Sequence, residues 1–322
     1  MTLLRRPFAV FLLTLVTFPP SAFGWLSNGH MAVAYVAYQH LTPAVRNKVN
    51  ALVKKNPNYK KWLAKIPAGT SAADRSVMLF MLAATWPDEI KANGSGYKID
   101  PGSTDGDRPG PDLKVAAQNI GYSDKLYHKY WHFVDTPFTD DGTTLPAIPT
   151  PDAETQIELF RTALASGESQ PIKSYDLVWL LHLVGDVHQP LHCSTRVSAA
   201  HPDGDRGGNA EFVCTSAGKC TTKLHAFWDG LPGTNSKVNS AMTYAKALTP
   251  ADSTLANELD TDKWIIECFD EAKKDVYTGP ITAGDGPFTI TAAYRTAASN
   301  KAKEQIELAG ERLAKVIDAA LK

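Results

Sequence analysis

Histidine and aspartate recur in the second half of the chain at spacings that could bind metal ions. His182 and Asp186 lie four residues apart in LLHLVGDVHQPLH, a segment that ends at His192. His225 and Asp229 repeat the same spacing in LHAFWD. Side chains four residues apart share one face of a helix, so each pair could bind a single ion.

Three further segments add candidate ligands: WPD with Asp88, WHFVD with His132, and the N-terminal region with His30. Taken singly, each has a common alternative interpretation, since Asp88 can cap a helix and a buried His132 can bond to a backbone carbonyl. However, six of the nine histidines fall in these five segments. Burying so many carboxylates without compensation costs several kcal/mol each, so the set predicts divalent cations. Neutral imidazole combined with carboxylate suits zinc.

The overall composition limits how the protein could bind an anionic substrate. The 322 residues include 33 Lys and Arg against 34 Asp and Glu, a formal net charge of -1. Hydrophobic residues make up 43% and charged residues 21%, which is ordinary for a globular protein and excludes a disordered or low-complexity chain. Because the protein has no overall positive charge to attract nucleic acid, the negative charge of an anionic substrate must be neutralised locally, by metal ions or a few cationic side chains.

Helical periodicity dominates the elements that must position these side chains. Apolar residues from Tyr175 to Val187 cover most of the helix surface, which predicts a central buried helix carrying the first His–Asp pair. The stretches 90–123 and 194–220 are predicted to be long loops with at most small β-hairpins. No repeat or linker divides the chain, so we predict an all-α, mainly helical single domain. The predicted helices span residues 25–41, 43–53, 72–84, 151–165, 175–187, 262–277 and 292–321.

The N-terminus has the pattern of an export signal. Arg5 and Arg6 precede an apolar run over 8–18, and small residues occupy Ala22 and Gly24. This pattern predicts that residues 1–24 are a signal peptide, cleaved to leave 25–322 as the mature domain in the periplasm or the medium. An uncleaved membrane anchor is the alternative, but the apolar run is too short for one.

Four cysteines lie in the predicted mature chain, and their even number suggests two disulfides in an oxidising compartment. Three pairings are possible. We favour Cys214 with Cys220, which closes a tight loop, and Cys193 with Cys268 as a long-range link. A zinc site built from thiolates is the alternative, but no two cysteines have the close spacing that such sites use.

The motifs, in their order along the chain, resemble those of the zinc-dependent type I nucleases of the S1/P1 family. The matching segments are WPD, WHFVD, LLHLVGDVHQPLH, GDRGGN and HAFWD, with Trp25 at the predicted mature start. The resemblance runs from Trp25 to near the C-terminus. It implies a secreted helical protein with three zinc ions and a fold similar to that of zinc phospholipase C.

The resemblance also implies a set of ligands for the three ions. The first ion would be bound by the free amine and the carbonyl oxygen of Trp25, so cleavage of the signal peptide would complete the site. Asp186 would bridge the first two ions. Ion by ion, the implied ligands are Trp25, His30 and Asp186; Asp88, His132, His182 and Asp186; and His192, His225 and Asp229.

Further residues match positions that act on substrate in the family. The resemblance implies that zinc activates water for in-line attack on phosphorus and that Lys91 stabilises the developing charge, although better-known members have Arg there. Phe133 and Asp135 match a base pocket, where Asp135 would either accept a hydrogen bond from the base or act in catalysis by orienting water. Asn209 in GDRGGN would offer amide contacts beside it. The alternatives are a solvated surface lysine, ordinary core packing of Phe133, and a structural turn at the glycines.

The implied function is an exported endonuclease that hydrolyses RNA and DNA, preferably single strands, to 5′-phosphate products, with 3′-nucleotidase activity on nucleotides. We expect a monomer that does not bind membranes. Two other functions remain open at this point. A zinc phospholipase C acting on lipid head groups would use a similar trinuclear site, and a non-catalytic exported zinc-binding protein would have closed coordination.

Overall fold

A computed structural model describes residues 25–102, 106–282 and 286–322. The signal peptide predicted for residues 1–24 lies outside the described residues. About 53% of the structure is helical and strands form only small sheets, which confirms the predicted mainly α-helical fold. No helix among the described residues is long and apolar enough to cross a membrane.

Thirteen α-helices and five short strands can be assigned in the described residues. The helices are α1 Ser27–His40, α2 Pro43–Val53, α3 Tyr59–Lys65, α4 Ala72–Ala83, α5 Trp86–Glu89, α6 Leu113–Ala116, α7 Ala153–Ala165, α8 Gln170–Asp186, α9 Leu224–Asp229, α10 Val238–Ala245, α11 Ser253–Asn257, α12 Thr261–Glu271 and α13 Ala292–Ala320. The strands are β1 Pro137–Thr139, β2 Thr195–Val197, β3 Phe212–Cys214, β4 Thr222–Lys223 and β5 Phe288–Thr289. Single 3₁₀ turns cover Gly121–Ser123, Lys129–His132 and Pro190–His192.

The helices agree with the sequence prediction where apolar periodicity and capping act together. Helix α2 has the predicted bounds, and α7 begins after Asp152, whose carboxylate accepts from the Thr155 N–H in a capping box. The prediction missed α3, α6, α10 and α11, none of which is longer than the 8 residues of α10. It also placed Pro87 at a helix end, whereas Pro87 lies in the first turn of α5, a position where proline loses no hydrogen bond.

Helix α8 is the centre of the fold. From Ser174 to Asp186 every residue of α8 is buried, so this part of the helix has no solvent face, as predicted. It packs against α7, α2, α1 and α13, while α1 packs along α13, α10 and α4. Because α8 is covered on every side, its polar side chains must find their partners inside the protein.

The small sheets join segments that are distant in the sequence. Strand β1 pairs in parallel with β2, placing Phe138 opposite Arg196, and β3 pairs with antiparallel β4 and parallel β5. Within the described ranges, β3 and β4 are the one strand pair that matches the expected hairpins. The pairing of β1 with β2 brings the chain after WHFVD beside the chain after His192.

The four cysteines form the two favoured disulfides, Cys193–Cys268 and Cys214–Cys220. The first links the end of the LLHLVGDVHQPLH segment to α12 across 75 residues, and the second closes a six-residue separation. Both fit an oxidising compartment.

Candidate metal centre

Three groups of imidazole and carboxylate side chains converge in the core, and within each group the ligand atoms lie within 4.8 Å of one another. His182 on α8 belongs to two of the groups, so these two adjoin. The groups are His30, Asp88 and His182; His132, His182 and Asp186; and His192, His225 and Asp229. The structure therefore brings together all eight side chains that the sequence analysis assigned as ligands.

Helices α1 and α8 carry the deepest part of this centre. The rings of His30 and His182 stack with centroids 3.7 Å apart, and His30 Nε2 lies 3.4 Å from Asp186 Oδ1. The helices approach this closely because residue 185 is glycine: a Cβ there would lie 3.0 Å from His30 Nδ1. All three ligand side chains are fully buried.

Backbone carbonyls orient the imidazoles of the centre. Nδ1 of His182 donates to the Ala84 carbonyl at 2.8 Å, Nδ1 of His192 to the His132 carbonyl at 2.6 Å, and Nδ1 of His225 to the Gly207 carbonyl at 2.6 Å. A hydrogen on Nδ1 leaves the Nε2 lone pair of each neutral ring facing the centre. This is the arrangement that metal-binding histidines use.

The short distance between two of these nitrogens is better explained by a shared cation than by a hydrogen bond. His192 Nε2 and His225 Nε2 lie 3.1 Å apart, and in the neutral rings neither carries a hydrogen. Ligand atoms of a tetrahedral zinc ion lie about 3.4 Å apart, so a shared cation explains the approach.

Several buried polar atoms of the centre have no hydrogen-bond partner in the described residues. They are both ring nitrogens of His30, Nε2 of His132 and Oδ1 of Asp186. An unpaired buried donor or acceptor costs about 1–3 kcal/mol. His30 Nε2 and Asp186 Oδ1 lie 3.4 Å apart, so one bound cation would satisfy both atoms.

Burial controls the protonation of the ligands. It lowers the pKa of His30 and His132 well below the usual value, with further lowering by His182 and Lys91, respectively. It raises the pKa of Asp186 well above the usual value, assisted by Asp88. The protein alone therefore disfavours charge here, and a cation reverses that preference for the carboxylates.

Lys91 lies inside the centre rather than on the surface. Its ammonium group donates to Asp88 Oδ1 at 2.9 Å, and its side chain is only 5% exposed. Of the two interpretations made from the sequence, the solvated lysine is therefore wrong. Lys91 places a positive charge beside the ligand carboxylates.

The sequence analysis missed Gln189, which holds Asp229 in place. Its side-chain amide donates to Asp229 Oδ1 at 2.6 Å, and its amide oxygen accepts from the Leu191 N–H. Gln189 is fully buried. Its position between two histidines of one motif was the available signal, because a buried amide there needs partners.

Trp25 lies beside the same ligand. It is fully buried, and the N–H of the next residue, Leu26, donates to the main-chain oxygen of Asp229 at 3.1 Å. Gly29 allows the indole to pack against α1, since a Cβ on Gly29 would lie 2.6 Å from Trp25 Cβ. The start of the described chain is thereby held next to the centre.

The glycines of GDRGGN are required by close backbone approach. Gly207 has φ +60°, and a Cβ there would overlap the carbonyl oxygen of Leu191. Gly208 has φ +75° and packs on Leu224. Since the Gly207 carbonyl accepts from His225, this turn also sets the orientation of a ligand.

The expected substrate residues border the third group. Phe133 and Asp135 flank Val134, whose N–H donates to the His192 carbonyl at 2.7 Å. Phe133 is half-buried, and burial together with Asp205 raises the pKa of Asp135 to about 7. Asn209 donates to the Arg206 carbonyl at 2.9 Å, and its Oδ1 has no partner among the described residues.

Two other buried histidines belong to separate networks. His188 donates to the Val184 carbonyl and accepts from Arg312 on α13 at 3.0 Å, so it points away from the centre. His128 lies between Asp100 and Asp124 with Tyr130 beside it, and we call this set the His128 cluster. The sequence analysis had not assigned the two aspartates, although Asp124 precedes His128 by four residues.

The fold and this site together define a mainly α-helical protein with a candidate multinuclear metal centre. A model of the S1/P1 nuclease family matches residues 25–322, nearly the whole chain. The chain belongs to the S1/P1 nuclease family and is a nuclease, a hydrolase of nucleic acids; the family is in general zinc-dependent. No curated protein matches the sequence.

Proposed function

We propose that this protein is an exported, zinc-dependent endonuclease that hydrolyses the phosphodiester bonds of RNA and DNA. It prefers single strands, leaves 5′-phosphates, and also removes 3′-phosphates from nucleotides. The observation that carries the proposal is the convergence of three His and Asp groups in one buried centre. Residues 25–322 form its mature domain, which acts as a monomer in the periplasm or the medium.

The residues fit three zinc ions. His30 and Asp186 would hold the first together with the amine and carbonyl of Trp25. The packing of buried Trp25 against Gly29, on the helix that carries His30, supports this assignment. The family match also begins at the residue where we expect cleavage. The remaining ligands are Asp88, His132 and His182 with Asp186 for the second ion, and His192, His225 and Asp229 for the third.

When bound, zinc supplies Lewis-acid chemistry, polarising the phosphodiester and lowering the pKa of water towards about 7. The protein's own residues prepare for this. Burial keeps the imidazoles of His182 and His192 neutral, and carbonyl acceptors at Nδ1 leave Nε2 facing inward. Gln189 holds Asp229 in place. Lys91 adds a fixed positive charge that stabilises negative charge on the phosphoryl oxygens, and in a buried site that interaction is screened less than in water.

Recognition of the base falls to residues bordering the third group. The half-buried ring of Phe133 offers a stacking face for any base, which an unpaired strand can use and a duplex cannot. Asn209 would reach a base only after its side chain turns, because its Oδ1 is buried and its Nδ2 donates to the Arg206 carbonyl. With a pKa of about 7, Asp135 can either donate or accept near neutrality. These contacts do not depend on which base is present. They bind the nucleic acid although the net charge of the protein does not attract it.

The test is Asp186→Asn, which keeps the size of the ligand that would bridge the first two ions and removes its charge. We expect zinc content to fall and hydrolysis of single-stranded DNA and RNA to drop more than about 100-fold. Asp176→Asn is the matched control, because Asp176 is also a buried carboxylate of α8 but lies outside all three groups. Full zinc content and activity in Asp186→Asn would refute the assignment.

Substrate class is tested on the same preparations. We expect the wild-type protein to release acid-soluble nucleotides from single-stranded DNA and to release no phosphocholine from lecithin. The opposite result would identify a phospholipase, and turnover of neither substrate with zinc bound would indicate a binding protein.

A further inference from the structure

A second cluster of candidate metal ligands lies outside the centre. His40 is the last residue of α1, and Glu307 and Glu311 lie one turn apart on α13, against which α1 packs. One ligand atom from each of the three side chains lies within 4.8 Å of the others. The cluster therefore bridges two helices that are far apart in the sequence.

This cluster is separate from the nuclease centre. His30 and His40 stand ten residues apart on α1, and an α-helix rises 1.5 Å per residue, so about 15 Å separates them along the axis. His40 is exposed, whereas His30 is fully buried. An ion bound here would meet solvent and would not contact the ligands of the centre.

The carboxylate of Glu307 has no partner that would balance its negative charge in the described residues. The residue as a whole is 7% exposed, and no hydrogen bond or ion pair reaches its carboxylate from the described residues. The neighbouring Glu311 adds a second negative charge, and one of its oxygens accepts from the Ala251 N–H at 3.1 Å. A buried carboxylate is normally paired with a cation or a donor. Within the described chain, Glu307 has neither.

The spacing of the ligand atoms favours a metal ion over direct contact with His40. In the described residues, no hydrogen bond or ion pair joins His40 to either glutamate, although the atoms lie within 4.8 Å. Ligands of a tetrahedral zinc ion are about 3.4 Å apart, which small side-chain rotations would reach. The exposure of His40 leaves room for water as the fourth ligand.

We propose that His40, Glu307 and Glu311 bind one zinc ion that fastens the end of α1 to α13. An imidazole nitrogen with two carboxylates is a donor set for zinc and its neighbours in the transition series, whereas calcium and magnesium prefer oxygen ligands alone. The site is structural, because three protein ligands on packed helices hold the ion and no substrate pocket is required.

Equilibrium dialysis against Zn²⁺ tests the proposal on the mature protein. We expect His40→Ala and Glu311→Gln each to bind one zinc ion fewer than the wild type while hydrolysing single-stranded DNA at the wild-type rate. Glu304→Gln is the matched control, since Glu304 is an exposed glutamate of α13 that pairs with Lys301. Equal stoichiometry in the wild type and His40→Ala, or the same loss in Glu304→Gln, would overturn the proposal.

The test depends on the difference between variants and not on the total. If the centre holds fewer than three ions, the difference of one remains, so this proposal and the proposed function fail separately. Anomalous diffraction at the zinc edge provides a second readout. A peak between His40 and Glu307 is expected in crystals grown with Zn²⁺, and its absence at full occupancy of the centre would also overturn the proposal.

Discussion

Two buried regions of the molecule combine histidine with aspartate. In the candidate metal centre, His30 and Asp186 retain polar atoms without a hydrogen-bond partner in the described residues. In the His128 cluster, Nδ1 lies 2.6 Å from Asp100 and Nε2 lies 2.6 Å from Asp124, so both ring nitrogens are satisfied. The residue types are the same, but only the first region leaves lone pairs for an ion.

The protonation of the two regions differs accordingly. Burial lowers the pKa of His30 and holds the ring neutral, as a metal ligand must be. Burial also acts on His128, but its hydrogen bonds to Asp100 and Asp124 outweigh it and raise its pKa above the usual value. His128 is thus a protonated residue that stabilises the fold by pairing with two carboxylates. His30, whose ring nitrogens have no hydrogen-bond partner among the described residues, is neutral and can bind a metal ion.

The largest expected effect is on stability, when His128 of the His128 cluster is replaced. In His128→Asn the positive charge is lost and two buried carboxylates face each other, so we expect about 3–5 kcal/mol lower unfolding free energy in urea. Asparagine tolerates the φ of +47° at this position, so the change mainly removes charge. Zinc content per folded chain should be unchanged. His201→Asn is the control and should change stability by less than about 0.5 kcal/mol. Loss of zinc in His128→Asn would show that the His128 cluster and the metal centre are not independent of each other.

The orientation of ligands in the centre is tested by Gly207→Ala. The new Cβ would overlap the Leu191 carbonyl and displace the acceptor of His225, so we expect zinc affinity at the third group to fall about 10–100-fold. Gly218→Ala is the control, because Gly218 has φ +71° but no neighbouring atom within 4 Å. Affinity is measured by competition with a chelator. Equal affinities in the two variants would show that backbone strain alone, not ligand orientation, is involved.

The smallest expected effect is in the pH dependence of stability. Because the folded pKa of His128 is raised, its contribution is complete below about pH 6.5 and is lost as the pH rises through the folded value. The difference in unfolding free energy between the wild type and His128→Asn should therefore shrink with rising pH, by at most about 1.4 kcal/mol per pH unit. A constant difference from pH 6 to 9 would show that His128 is neutral in the folded protein.

Prediction from sequence succeeded where the cause is local. Helix α2 and the capping box of α7 follow from proline, aspartate and apolar spacing within one segment. The spacing of His182 from Asp186 placed both on one face of a helix before any tertiary contact was known. The favoured disulfides were correct because a six-residue loop leaves only one partner for each remaining cysteine.

Prediction failed where a residue's role depends on a distant segment. The amide of Gln189 acquires its role only when Asp229 lies 2.6 Å away, 40 residues further along the chain. The partners of His128 were not predicted, because Asp100 is 28 residues before it in a predicted loop. The burial of Lys91 was likewise undecided, since its environment is built by other elements.

The sequence by itself determined the family, the helical class and which side chains could be ligands, because these depend on residue types and short spacings. Tertiary structure decided which nitrogen of each imidazole faces inward, which carboxylate pairs a cation and which glycine must lack a Cβ. It also brought His40 to Glu307 and Glu311. Each of these depends on atoms from separate helices meeting within a few ångströms, and such meetings are fixed by packing of the whole core.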